Sequence, residues 1–277
     1  MSMQYSLQQY TLQLSHTAIN YYQSSGSGQT IVFVHGNSKS ALQFSQQLQG
    51  EFAEQYRVIA LDLPGHGLSG RLDSSAYTIP SLSNLLVEFS QALQLQEAIF
   101  VGWSLGGNVV MHSIERLPQA KGFVIVGAVP FDKPMNMACL LEAPFLSAYF
   151  EVDFPTEEIE KLLAANKVSA ESDKQAIHQA IKQSDAQVRS TLAASIFHEP
   201  DYRHELAIVK QMQAPLTFIF GMEDNVFSIP FMRELVNETL THTQLKLIPQ
   251  AVHFPHISHA SAFNQCLAEI VEQYVGR

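Results

Sequence analysis

Short runs of consecutive apolar, largely β-branched residues recur along this chain, and between them lie stretches whose apolar positions repeat with helical spacing. Thr30-Ile31-Val32-Phe33-Val34 is the first such run, followed by Arg57 to Leu61, Ala98 to Val101, Gly122 to Val126, Leu216 to Phe220 and Leu245 to Ile248. A strand apolar on both sides must be covered on both sides, which is the condition of a parallel sheet buried between helices. The intervening stretches supply the cover. Ser81 to Leu95 places Leu82, Leu85, Leu86, Phe89 and Leu93 on one stripe, and Ala41 to Tyr56, Val109 to Leu117, Ile229 to Glu238 and Ser261 to Tyr274 are further helical stretches. Strand and helix in alternation predict right-handed crossovers and helices on both faces of one sheet. The opening is different: Tyr10 to Leu14 and Thr17 to Tyr22 are short alternating pieces, as in an antiparallel hairpin at a sheet edge.

The rhythm stops after Pro130 and resumes with a helix near Tyr202 to Met212. From Phe131 to about Pro200 there is no buried-strand pattern. Pro155-Thr156-Glu157-Glu158 opens a helix and Gln175 to Phe197 carries more of it, while Met135 to Phe150 is apolar without a clean period. The expected organisation is therefore a core of residues 1–130 and 201–277 with a helical lid inserted at 131–200.

Composition narrows what such a chain can meet. Sixteen Lys and Arg stand against 26 Asp and Glu, a net charge of -10 that opposes a nucleic-acid backbone. No Lys or Arg precedes Lys39, no long apolar stretch follows the start, and no run approaches the roughly 18 apolar residues of a membrane span. The expected setting is the cytoplasm, without membrane or nucleic-acid partners and as a monomer or homodimer. Cys139 and Cys266 are too few for a disulfide framework and are expected to be buried thiols.

Gly102-Trp103-Ser104-Leu105-Gly106-Gly107 follows one strand and precedes a helix. A turn that tight excludes bulky neighbours, so the two glycines leave room for the backbone while Ser104 projects above the sheet. A serine hydroxyl attacks a carbonyl only when a base takes its proton and a carboxylate holds that base in the right tautomer. Asp224 lies beyond the strand Leu216 to Phe220, and His253 beyond Leu245 to Ile248. The order Ser104, Asp224, His253 is that of a strand-borne hydrolytic triad, with Glu223 as competitor for the acid.

With these residues the chain resembles the α/β-hydrolases that carry a helical cap. His35-Gly36-Asn37, Asp62-Leu63-Pro64-Gly65-His66-Gly67-Leu68-Ser69, Gly102 to Gly107, Gly221-Met222-Glu223-Asp224 and His253-Phe254-Pro255-His256 carry the resemblance. It implies a mostly parallel eight-stranded sheet with helices on both faces. It also implies Ser104 as nucleophile, Asp224 as acid, His253 as base, and the backbone N-H groups of Asn37 and Leu105 as oxyanion hole. The family often has glycine before the histidine, where this chain has Val252. The implied activity is hydrolysis of a small or medium carboxylic ester through an acyl-enzyme, with no cofactor. The wording around Asn37 and Ser104 is also similar to the N-acyl-homoserine lactonases of this fold, which makes lactone opening an alternative; a non-catalytic ligand-binding protein on the same scaffold is another.

Other readings of the same residues are weaker. His253, His256 and His259 are three apart, but Pro255 breaks a helix that would align them, and neither His-Glu-x-x-His nor a cysteine cluster occurs, so no metal is expected. Gly65 and Gly67 lack the Lys-Ser/Thr of a phosphate loop. His35 and His66 are expected to support the neighbouring loops.

Overall fold

The computed structural model describes residues 7–132, 135–142, 145–198 and 204–276, the side chains of 197 and 198 excepted. Its frame is an eight-stranded sheet: β1 (Gln8–Gln13), β2 (Ala18–Gln23), β3 (Thr30–Val34), β4 (Arg57–Leu61), β5 (Ile99–Trp103), β6 (Gly122–Val126), β7 (Leu216–Gly221) and β8 (Gln244–Ile248). The spatial order is β1-β2-β4-β3-β5-β6-β7-β8. β1 pairs antiparallel with β2, and β2 antiparallel with β4; every other pairing is parallel. β5 and β6 are buried at every position and β3 at all but its first, which is why their sequences are continuously apolar. β1 is an edge strand with mostly exposed side chains.

The helices are α1 (Ser45–Leu48), α2 (Gly50–Gln55), α3 (Ile79–Ala92), α4 (Leu105–Ser113), α5 (Thr156–Ala165), α6 (Glu171–Gln183), α7 (Ala186–His198), α8 (Glu205–Gln211), α9 (Ile229–Glu234), α10 (Pro255–Ser258) and α11 (Ala260–Val275). α3, α4 and α8 pack together over the sheet, and α1, α10 and α11 form a second group. α3 shows how sequence sets such an element. Thr78 Oγ1 accepts from the Ser81 N-H at its start, and Leu82, Leu85, Leu86 and Phe89 are buried along one face. None of the helices is long and apolar enough to cross a membrane, among the described residues.

Two helical stretches are shorter than the sequence pattern predicts. Ala41 to Tyr56 divides into a 3-10 turn, α1 and α2, because Gln49 is extended and Gly50 takes φ +74°. The stretch Gln175 to Phe197 divides at Ser184, which is extended; Asp185 then donates its N-H to Gly65 O and accepts from Gln187 N-H at the start of α7. Between β6 and β7 the described residues contain helices and 3-10 turns with no strand. Of the helix expected at Tyr202 to Met212, α8 covers Glu205–Gln211, and 201–203 lie outside the described residues.

β3 is the switch point of the sheet. The chain leaves it for β4 on one side and then crosses to β5 on the other. A crevice opens beyond the carboxyl ends of strands at such a point, and the loops after β3 and β5 carry Asn37 and Ser104 into it.

Candidate active site

The turn between β5 and α4 is forced by what surrounds it. A Cβ on Gly102 would stand 2.3 Å from Gly106 O, and one on Gly106 would stand 2.1 Å from Val34 O. Both positions therefore require glycine. Ser104 sits between them at φ 52° and ψ -123°, a conformation that L side chains rarely adopt and that costs on the order of 1–3 kcal/mol. The strain aims its side chain out of the sheet.

His253 Nε2 lies 3.3 Å from Ser104 Oγ, and His253 Nδ1 lies 3.1 Å from Asp224 Oδ2. With Nδ1-H donating to Asp224, Nε2 is left as the acceptor that faces the serine hydroxyl. Asp224 is held in turn: its Oδ1 accepts from the Val226 and Phe227 N-H groups at 2.8 and 2.9 Å. Both the carboxylate and the imidazole are buried. Glu223 points elsewhere, exposed and paired with Lys167 at 2.7 Å. The structure thus brings Ser104, His253 and Asp224 together and leaves Glu223 outside.

Asn37 and Leu105 flank the serine. Leu105 is the first residue of α4, where a helix leaves its N-H groups unbonded. Among the described residues no acceptor engages the backbone N-H of either Leu105 or Asn37. The Asn37 loop is itself tied down. Ser38 has φ +56° and donates its N-H to His66 Nε2 at 3.1 Å. His66 Nδ1 donates to Pro64 O, His35 Nδ1 donates to Gly36 O, and His35 Nε2 accepts from Leu63 N-H. Each imidazole thereby bridges the two loops in its neutral form. Burial pushes His35 down to about 4 and His66 down to about 3. Asp62 staples the same region, accepting from Asn20, Ala41 and Leu68, and burial raises its pKa.

The segment after β6 closes over these loops. Asn37 Nδ2 donates to Tyr149 O at 3.0 Å, and Lys39 Nζ lies 2.8 Å from Tyr149 Oη. Arg189 Nη1 donates to Ser38 Oγ at 3.2 Å, and its Nε donates to Glu151 O. Lys39 is fully buried; burial first, and the Arg189 charge second, hold its ammonium well below the usual lysine range. Below this cover lies a cavity of about 90 Å³ that reaches Ser104 and His253. Phe131, Leu146, Leu192 and Ile196 wall it on one side, and Trp103, Leu105, Val226 and Phe227 on the other. Among the described residues, no Asp, Glu, Lys or Arg lines it.

A family profile described as alpha/beta hydrolase fold matches residues 29–260. The chain belongs to this family. A pimeloyl-[acyl-carrier protein] methyl ester esterase of Vibrio cholerae serotype O1 is 28% identical to this α/β-hydrolase over 257 residues, which is 90% of this chain and 96% of the relative. An uncharacterised hydrolase of Bacillus subtilis is 24% identical over 277 residues, covering 96% of this chain and 98% of the other. Among solved structures, the N-acyl homoserine lactonase AidH superposes with a TM-score of 0.88 at 24% identity, over 97% of both chains. The esterase RhEst1 from Rhodococcus gives 0.79 at 21% identity, over 96% of this chain and 98% of that one. These structural likenesses show the fold.

Two features of this hydrolase go beyond the expected site residues. Trp103 packs in the core and also lines the cavity, and its Nε1 donates to His253 O at 2.9 Å, fixing the histidine loop. Its place beside Ser104 was visible in the sequence, but its bond across 150 residues was not. The three histidines of the 253–259 stretch diverge. His253 faces Asp224, His256 is buried among Phe44, Trp103, Phe254 and Phe263, and His259 contacts Ser258 Oγ. Val252, where the family often has glycine, is absent from the residues of positive φ, so this backbone does not require glycine there.

Proposed function

We propose that this carboxylic ester hydrolase cleaves a small or medium acyl ester with Ser104 as nucleophile, His253 as general base and Asp224 as the group that orients the imidazole. The observation that carries the reading is the buried relay from Ser104 Oγ through His253 to Asp224, at 3.3 and 3.1 Å, opening into an apolar cavity. His253 takes the serine proton as Oγ attacks the carbonyl carbon, and the N-H groups of Asn37 and Leu105 receive the negative charge on the oxygen. The protonated imidazole then gives its proton to the leaving alcohol. Water, deprotonated by His253, releases the acid in a second attack. Serine, imidazole and water balance every bond and proton, so the mechanism needs no cofactor.

The cavity argues for the substrate class. Among the described residues its lining has no Asp, Glu, Lys or Arg, and about 90 Å³ is well below the roughly 300–1,000 Å³ of drug-sized sites, which favours a neutral, short to medium acyl group. Residues 131–200 serve as the cap that closes over it, and the enzyme works in the cytoplasm. Relatives named as methyl ester esterases suggest a small alcohol as leaving group. A lactone is an internal ester and fits the same attack, so a lactone panel belongs in the test. Turnover of methyl and p-nitrophenyl esters of increasing acyl length, beside N-acyl homoserine lactones, should show ester hydrolysis that disappears in Ser104→Ala. Near-normal hydrolysis by that variant would overturn the assignment. Turnover of lactones above matched esters would move the substrate to that class.

A further inference from the structure

Asn108 is a polar side chain of the cavity wall outside the relay and the oxyanion loop. It lies one turn beyond Ser104 on α4, is 3% exposed, and lines the cavity together with Phe131. Its amide orientation is fixed by what stands behind it. Nδ2 donates to Val129 O at 3.1 Å and to Glu205 Oε2 at 2.7 Å, both of which can only accept from it. Glu205 is fully buried at the start of α8, and the same Oε2 accepts from Phe131 N-H at 2.9 Å. Turning the amide over would set its oxygen against two acceptors. Both hydrogens are thus committed to the protein interior, while Oδ1 makes no hydrogen bond among the described residues. In a nearly buried residue that lines the cavity, the open side of this oxygen is the cavity itself.

We propose that Asn108 Oδ1 is a specificity determinant that accepts a hydrogen bond from a donor on the substrate's acyl chain, so that the enzyme favours acyl groups carrying a hydroxyl or an amide N-H. The inference rests on the ester-hydrolase reading above. Its chemistry follows from the fixed orientation: an acceptor backed by a buried carboxyl repels a carboxylate and selects a donor. Asn108 lies four positions along the chain from Ser104, a helical rise of about 6 Å, so the donor belongs several atoms beyond the attacked carbonyl. Where the neighbouring lining side chains are mostly apolar, an unmatched oxygen is costly, and supplying its partner distinguishes two chains of equal size.

The test pairs methyl esters of ω-hydroxy acids, four to eight carbons long, with esters in which a methyl group replaces the hydroxyl. An apolar wall alone favours the methyl member of each pair. The expected result is a kcat/KM for at least one chain length that is about ten-fold higher for the hydroxyl ester, with that ratio falling about ten-fold in Asn108→Leu. Preference for the methyl member at every length in the wild-type enzyme overturns the proposal without any variant needing to fold. An unchanged ratio in a folded Asn108→Leu overturns it equally. Failure of the underlying reading looks different, because then neither ester series is turned over in a Ser104-dependent way.

Discussion

Beyond β5, β7 and β8 the cavity is walled by loops whose backbone is fixed several times over, whereas the described residues between β6 and the end of α7 line it mainly with apolar side chains and reach those loops by a few tethers. On the first side, glycines at 102 and 106 permit a turn that no other residue fits, Ser104 is held at positive φ, and Asp224 accepts two backbone N-H groups besides facing His253. On the second side, Tyr149 and Arg189 reach the Asn37 loop, and Asp185 meets Gly65 O and Tyr77 Oη. The contrast separates two duties. Chemistry demands atoms placed to within tenths of an ångström, and so demands particular residues. Enclosing an acyl chain demands apolar volume, which many residues supply.

If that division is right, substitutions on the loop side should be the most damaging. Ser104→Ala should reduce ester turnover by about 10⁶-fold, judged by comparable nucleophile removals, without loss of fold by circular dichroism. Ser104→Gly should be equally inactive yet more stable than Ser104→Ala by about 1 kcal/mol in denaturant titration, because glycine relieves the positive φ. Asp224→Asn should lower kcat by about 10⁴-fold, since an amide cannot hold His253 in the required tautomer. Glu223→Gln, which removes an exposed pairing with Lys167, should change kcat by less than about two-fold. Equal losses from the two acid substitutions would break the distinction between the relay and its surroundings.

The cover side can be tested at its strongest tether. Arg189→Ala removes the bonds to Ser38, Ser184, Glu151 and Val152, so unfolding free energy should fall by about 2 kcal/mol. Because Ser38 adjoins Asn37, kcat should fall by about ten-fold with KM changing less, which steady-state kinetics would separate. A loss confined to KM would mean that the cover encloses the substrate and does nothing for the oxyanion loop.

Much of the loop side was legible in the sequence, and the reason is physical. Gly102, Ser104 and Gly106 are readable because the turn tolerates so little, and Asp224 and His253 because each follows a buried strand that the apolar runs expose. Glu223 and Asp224 could not be separated by pattern, since adjacent loop residues diverge only once the backbone is placed. The lining residues Leu146, Tyr149, Leu192 and Ile196 were not readable either, because an apolar side chain facing a cavity carries the same signal as one facing the core. The break at Ser184 escaped notice for a related reason: it depends on Gly65 O, a contact more than one hundred residues away. His35 and His66 were readable as loop supports, but their exchange of partners, each bonding across to the other's loop, was not.

The same buried histidines set the expected acid dependence of stability rather than of turnover. His35, His66 and His256 are lowered from 6.5 to about 4, 3 and 3, in each case chiefly by burial. The unfolded chain binds these protons near pH 6.5 and the folded chain does not, so their stabilisation is complete above that pH and is lost as pH falls toward 4. Each histidine should make stability fall further as pH drops through that window. The His256 ring nitrogens make no hydrogen bond among the described residues and the ring is surrounded by aromatic rings, so His256→Phe should preserve stability at pH 7.5 and weaken the acid dependence by one histidine's share. Denaturant titrations at pH 7.5 and 4.5 would read the difference.

The central claim is that Ser104, activated by His253 and Asp224, forms the covalent intermediate. Treatment with a fluorophosphonate followed by peptide mass spectrometry tests it most directly. The account requires one phosphonyl group per chain, on the peptide containing Ser104, with none in Ser104→Ala and much slower labelling in Asp224→Asn. An unlabelled wild-type enzyme that still turns over ester, or a label that persists in Ser104→Ala, would contradict it.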